Sequence, residues 1–318
     1  MVVTGIKRLA VSFVLAGREA NNSDRLCRDA VEALVRSYRE SLHRFGTMPA
    51  VELAHYQVNR HLADGPVRRV LLKAERSSPL GSLKKLTAKT PAGDYRFVNR
   101  PPVLQRVGSG VSRRVLASLS EYRSTLGPNR RIVLDAYQPV DVAFKVVGTG
   151  SVGRRNYVVL CFGNGPQDPM MLQVKEALPS CYAPYRPEAN LPMHEGRRVA
   201  EGQHRMQTTT DPLLGWTTID EQHFVVRQLS DHKASIESRD LEGAALVEYA
   251  LVAGEIFARG HARTSDAAVL SGYCGEAAKL DRAIADFAVA YSNQVAADYD
   301  QFRKAIKAGA LPAQTVAA

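Results

Sequence analysis

Near Asp141 the hydrophobic period of the chain changes from about 3.6 residues to about two, and that change limits the folds open to it. Residues 141–147, 157–162 and 170–177 are strand-length runs rich in β-branched and apolar side chains. Turn chemistry separates them, at residues 148–153 and at Asn164-Gly165. Three antiparallel strands in meander order follow. Residues 195–210 then return to helical spacing, and 214–219 with 224–229 read as a further hairpin. The block is β-β-β-α-β-β, a five-stranded antiparallel sheet with one helix inserted.

Helical spacing dominates on either side. Residues 6–62 read as helical, with Asn22 or Ser23 capping a helix whose stripe is Val31, Leu34, Val35, Tyr38, Leu42 and Phe45. Beyond Asp240 one helix is expected to bury Ala245, Tyr249, Val252, Ala253, Ile256 and Phe257. A long closing helix is expected to bury Leu280, Ile284, Phe287, Tyr291, Val295, Tyr299, Phe302 and Ile306. The expected division is a helical part with a basic connecting region over 1–135, a sheet lobe over 136–235 and a helical region over 236–318.

The 318 residues carry 42 Lys and Arg against 32 Asp and Glu, a net charge of +10 that favours anionic partners. Basic residues are densest between Arg68 and Arg131, but aromatics do not interleave with them as single-strand nucleic-acid binders require. Cys27, Cys161, Cys181 and Cys274 lack the paired spacing of zinc or disulfide frameworks, so reduced thiols and no metal site are expected. Lys7 and Arg8 precede an apolar run over 9–17, but Arg18 and Glu19 end it without a cleavage signature. No apolar stretch reaches the roughly 20 residues that span a bilayer. The expected location is cytoplasmic, with no membrane partner.

Gly148-Thr149-Gly150-Ser151-Val152-Gly153 is the motif with chemical content, because glycines let backbone N–H groups approach phosphate oxygens. A dinucleotide fold needs a helix after this loop, whereas residues 156–162 read as a strand. A strand on each side matches the glycine-rich loop of kinases. Such a loop calls for a lysine on the third strand, and Lys175 stands there, sharing a strand face with Gln173 while Leu172 and Val174 take the other. Glu201 on the next helix is the candidate to orient that lysine; Glu176 faces away. The competing reading is an ordinary turn beside a surface lysine. Ser151 does not sit in a nucleophile elbow, since the first glycine and the following helix are lacking. His261 and Arg263 suit the last turn of a helix.

Taken together, Lys7-Arg8-Leu9-Ala10, 141–153, 172–177, Arg198-Val199, Gly202-Gln203, 211–216, Val226-Arg227-Gln228-Leu229, His261-Ala262-Arg263 and Asp298-Tyr299 resemble the bacterial domain-of-unknown-function family 2252. The resemblance implies relatives of small-molecule phosphotransferases in permuted order. Family members carry a Gly-Asp-x-His-x-x-Asn-Phe-Gly motif and an Asn-Asp-Phe-Asp-Glu motif upstream of a Trp-Asp-Leu-Lys-Arg-Leu segment. Here that segment is Thr4-Gly5-Ile6-Lys7-Arg8-Leu9, so an N-terminally shortened member is expected, lacking the catalytic and metal-binding loops.

The expected fold is therefore α+β and kinase-like, with a five-stranded nucleotide lobe and a helical lobe. Gly148, Gly150, Ser151, Gly153 and Lys175 would hold the phosphates of ATP or another nucleotide with magnesium, and Glu201 would orient Lys175. The acceptor, a small molecule or a protein, is not legible, and the chain alone is expected to be inactive. The alternative is a non-catalytic basic protein that binds nucleic acid or an acidic protein. Nucleic acid is the less expected partner.

Overall fold

A computed structural model of the chain describes residues 2–57, 68–69, 72, 79–148, 150, 152–185, 194–229 and 235–311. The mixed α+β chain divides into two compact units, one built from residues 1–72 and 234–318 and the other from 73–233. The first unit opens with α1 (Val2–Glu19), α2 (Asp24–Thr47) and α3 (Ala50–His55). The second contains α4 (Pro79–Leu86), β1 (Thr87–Lys89), β2 (Tyr95–Phe97), β3 (Leu104–Arg106), α5 (Ser109–Thr125), α6 (Pro128–Asp135), β4 (Gln138–Lys145), β5 (Asn156–Phe162), β6 (Pro169–Glu176), α7 (Glu195–Met206), β7 (Gly215–Ile219) and β8 (Gln222–Gln228). The chain then returns to the first unit with α8 (Ala244–Ala262), α9 (Ala267–Cys274) and α10 (Lys279–Lys307).

In the helical unit the Ser23 hydroxyl caps α2 by accepting the Leu26 N–H at 3.2 Å. The stripe expected on α2 is buried throughout, from Val31 to Phe45. Residues 58–62, the end of the expected early helical stretch, lie outside the described residues. Of the stripe expected on α8, Tyr249, Ala253 and Phe257 pack against the core half-buried, and Ile256 is the correction. The fully buried face of the helix is Leu246, Ala250, Gly254 and Ala258, whereas Ile256 is exposed. Small residues every fourth position let α8 lie against α2 so closely that a Cβ on Gly254 would come within 2.3 Å of the Leu34 carbonyl oxygen. The stripe on α10 also shifts, to Ile284, Ala285, Ala288 and Ser292, leaving Tyr291, Tyr299 and Phe302 exposed. A buried Arg39–Asp281 pair at 3.1 Å ties α2 to α10.

In the second unit six strands form one antiparallel sheet in the order β3-β4-β5-β6-β8-β7. Five are the strands expected from periodicity. The sixth, β3, pairs Leu104 with Lys145 and corrects the expected count. Three residues in a Pro-rich basic stretch are too few to display an alternation. One sheet face, with Val142, Val159, Leu172, Val174 and Val226, packs on Val115 and Tyr122 of α5. On the other face Ala143, Val158, Leu160 and Met171 bury Leu83, Phe97 and Leu104. Burial on both faces explains why β6 reads as nearly continuous apolar sequence.

Helix α7 lies on that second face beside β8, where Ala200 meets Val225 and Leu214. Gly196 is required at its first turn, because a Cβ there would lie 2.2 Å from the Phe224 carbonyl oxygen. Two stacked histidines, with ring centroids 4.0 Å apart, fix the helix start. The Arg197 N–H donates to His194 Nδ1 at 3.1 Å, and the Glu195 N–H donates to His223 Nδ1 at 3.0 Å. Both contacts need those nitrogens unprotonated. Burial, and secondarily the neighbouring His223, push the His194 pKa below its ordinary 6.5. The unfolded chain then takes up a proton before the folded one does. His194 thus contributes stability that is complete above the unfolded value and is lost as pH falls through the folded value. The urea midpoint should fall between about pH 7 and pH 5, and His194→Gln should flatten that slope. An unchanged slope in the variant would contradict the assignment.

Candidate phosphate-binding site

The glycine-rich segment joins the antiparallel neighbours β4 and β5. Thr149 and Ser151 lie outside the described residues, so Ser151 keeps only its position in the chain. Gly153 has φ of +77°, a backbone conformation that favours glycine. A Cβ at Gly148, Gly150 or Gly153 would meet no protein atom within 4 Å, so the loop presents an open backbone. At its base the Arg155 N–H donates to Glu176 Oε2 at 2.8 Å, and the Glu176 N–H returns to the Arg155 carbonyl at 2.9 Å.

Lys175 lies on β6 directly opposite Asn156, the first residue of β5 after the loop. As alternation predicts, Leu172 and Val174 enter the core while Lys175 stays half-buried on the other face. No hydrogen bond or ion pair engages its ammonium group among the described residues. Its pKa lies below the ordinary lysine range, first through burial and then through the charges of Arg227 and Arg154. Those two arginines also lack a carboxylate partner within ion-pair distance among the described residues. Elsewhere in the same unit Arg114 pairs with Asp220 at 2.9 Å and Arg123 with Asp135 at 2.6 Å. Asp211 feels the charge of Arg227, but its oxygens accept the N–H groups of Leu213 and Gln228, and burial pushes its pKa up.

Beneath these cations runs a chain of hydrogen bonds across four strands. Arg227 Nε donates to Gln173 Oε1 at 2.9 Å, Gln173 Nε2 to Asn156 Oδ1 at 3.1 Å, and Asn156 Nδ2 to the Lys145 carbonyl. The chain ends where the glycine-rich loop begins. Its direction is self-consistent, each amide donating with nitrogen and accepting with oxygen. The sequence alone assigned no role in the site to Asn156, Gln173 or Arg227. The available signal was a glutamine inside an otherwise apolar strand, which must find partners when buried.

Glu201 stands on α7, which packs on the face that carries Lys175. Its carboxylate is engaged on its own helix, by Arg197 Nε at 2.7 Å and Arg205 at 3.7 Å, and it makes no ion pair with Lys175. His261 accepts or donates to the Tyr38 hydroxyl at 2.8 Å within the helical unit, and Arg263 donates to the Ala54 carbonyl at 2.6 Å. Both therefore hold structure. Among the described residues no three His, Cys, Asp or Glu side chains cluster as metal ligands, and the four cysteines are free thiols. No described helix is long and apolar enough to cross a membrane.

A family model described as an uncharacterized protein conserved in bacteria, DUF2252, matches residues 3–305. The chain belongs to the DUF2252 family. No curated protein and no solved structure matches it. The segments of this DUF2252 chain that bear the candidate site, 148–153, 172–177 and 226–229, all fall within the matched span.

Proposed function

We propose that this DUF2252 protein binds a nucleotide by its phosphates, on the sheet face that carries Lys175 and at the loop of Gly148, Gly150 and Gly153. The observation that carries this reading is that Lys175, Arg227 and Arg154 make no ion pair among the described residues, on a unit whose glycine-rich loop presents an open backbone. Cations held together without a counter-ion repel one another, and an anion at the site relieves that repulsion. Strand–loop–strand–lysine order gives the reading its kinase-like form, with phosphoryl transfer from a magnesium nucleotide as the reaction class and the acceptor open.

The donors beside Lys175 suit phosphate and not magnesium. Glu201 is held by two arginines and Glu176 accepts a backbone N–H, and among the described residues no third ligand joins either in a metal-binding cluster. A metal-dependent step is therefore not assigned to the residues of this chain, which by itself is expected to bind without transferring phosphate. The rival reading, a nucleic-acid surface in the basic stretch, is weakened by the ion pairs of Arg114 and Arg123.

Gly150→Val provides the test. The added side chain meets no protein atom near its Cβ, so the melting temperature should stay within about 2 °C of wild type, as expected for an exposed loop with little packing. ATP affinity in calorimetry should fall about tenfold or more, because the branched side chain blocks the approach of phosphate to the backbone N–H groups. A collapse of stability with normal binding by the folded fraction would mark the loop as an ordinary turn.

A further inference from the structure

Arg227 was not singled out by periodicity or by loop chemistry, yet its setting differs from that of Arg114 and Arg123. Arg114 and Arg123 are matched by Asp220 and Asp135. Arg227 is held by a neutral amide, Gln173 Oε1, through its Nε alone. The two remaining guanidinium nitrogens make no bond among the described residues, and the residue is exposed. An arginine so held keeps its full charge while its position is fixed. Gln173 is 2 % exposed, and Asn156 fixes its amide in turn, so the support is rigid.

Register places that charge beside Lys175. Gln173 pairs with Arg227 and Lys175 with Val225, so Lys175 and Arg227 occupy a diagonal on one face of neighbouring strands. Cβ atoms on such a diagonal lie roughly 7–8 Å apart, within joint reach of two long side chains. A planar guanidinium with two free NH2 groups grips phosphate oxygens in bidentate fashion, which a lysine cannot do.

We infer that Arg227 is a second ligand-binding cation of this site and that, with Lys175 and Arg154, it selects a ligand bearing two or more adjacent phosphoryl groups over a monophosphate. The inference rests on the phosphate-binding reading above. Three positive charges match a diphosphate or triphosphate better than the single phosphate of a nucleoside monophosphate. Because Arg227 also anchors the Gln173–Asn156–Lys145 chain, phosphate held by Arg227 bears on the strand end from which the glycine-rich loop departs.

The experiment is calorimetric titration of the full chain with tripolyphosphate, ATP and AMP, repeated on Arg227→Gln, Arg227→Lys and Lys175→Met. Wild type should bind tripolyphosphate and ATP at least about tenfold more tightly than AMP, and Arg227→Gln should erase most of that preference. Arg227→Lys should restore part of it, since it returns the charge without the fork. The pKa of Lys175, read by NMR of the reductively methylated protein, should rise in Arg227→Gln, a shift that a purely structural role for Arg227 does not produce. Unchanged polyphosphate affinity in Arg227→Gln, with affinity lost in Lys175→Met, overturns the inference and leaves the phosphate site standing. Absence of tripolyphosphate binding by wild type overturns both.

Discussion

Lys175→Met is expected to lower ATP affinity about ten- to a hundredfold, with the melting temperature close to wild type. The loss follows from removing one charge-assisted contact, worth roughly 1.5–3 kcal/mol. Methionine preserves the length of the side chain, so packing along β6 survives. The variant also removes a repulsive neighbour from Arg227 and Arg154, which should leave the fold no less stable than before. Calorimetry on the two proteins at matched salt decides it. Equal affinities would mean that nucleotide, if bound, does not use this lysine.

The largest effect on stability is expected from Gly254→Val in the helical unit. A Cβ at that position lies 2.3 Å from the Leu34 carbonyl oxygen and 3.0 Å from both the Tyr38 nitrogen and the Ser37 Cβ. Backbone atoms of α2 cannot step aside as a flexible side chain would, so α8 must move off the seam that buries Tyr38. Over-packing of this kind costs about 3 kcal/mol or more, at the upper end of single substitutions. A urea titration followed by tryptophan-independent circular dichroism should show the helical signal lost at a clearly lower denaturant concentration. A midpoint equal to wild type would contradict the close approach of α2 and α8.

The strands of the sheet were legible because alternation and turn residues act locally, and β4, β5, β6, β7 and β8 fall within a few residues of their expected places. The short edge strand β3 was not, since three residues carry no period. The core stripe of α2 was legible from large apolar side chains at helical spacing. On α8 the same rule found Tyr249 and Phe257, which pack on the core, but missed the fully buried Ala250, Gly254 and Ala258, which close helix contact selects. Size complementarity between two helices is a pairwise property, and one helix's hydrophobicity does not encode it. On α10 the aromatic stripe keeps its period past the point where buried contacts end.

The candidate site divides in the same manner. The direction of Lys175 followed from alternation on β6, and the open loop followed from its glycines. The charge balance did not. Which arginines find carboxylates depends on contacts far apart in sequence, such as Arg114 with Asp220, and only the folded arrangement shows that Arg227 and Arg154 have none among the described residues. Glu201 was expected from the order of elements, and its place on α7 agrees with that order. Its neighbours at i−4 and i+4, both arginines, are nonetheless the partners that hold it.

The place where a phosphate ligand touches the chain can be read residue by residue. In amide NMR spectra of the isotope-labelled protein titrated with ATP, saturable shifts are expected at Gly148, Gly150 and Gly153 and along 173–175, with smaller effects elsewhere. Shifts confined to the basic helices α5 and α6, or spread without saturation over exposed arginines, would contradict a phosphate site there.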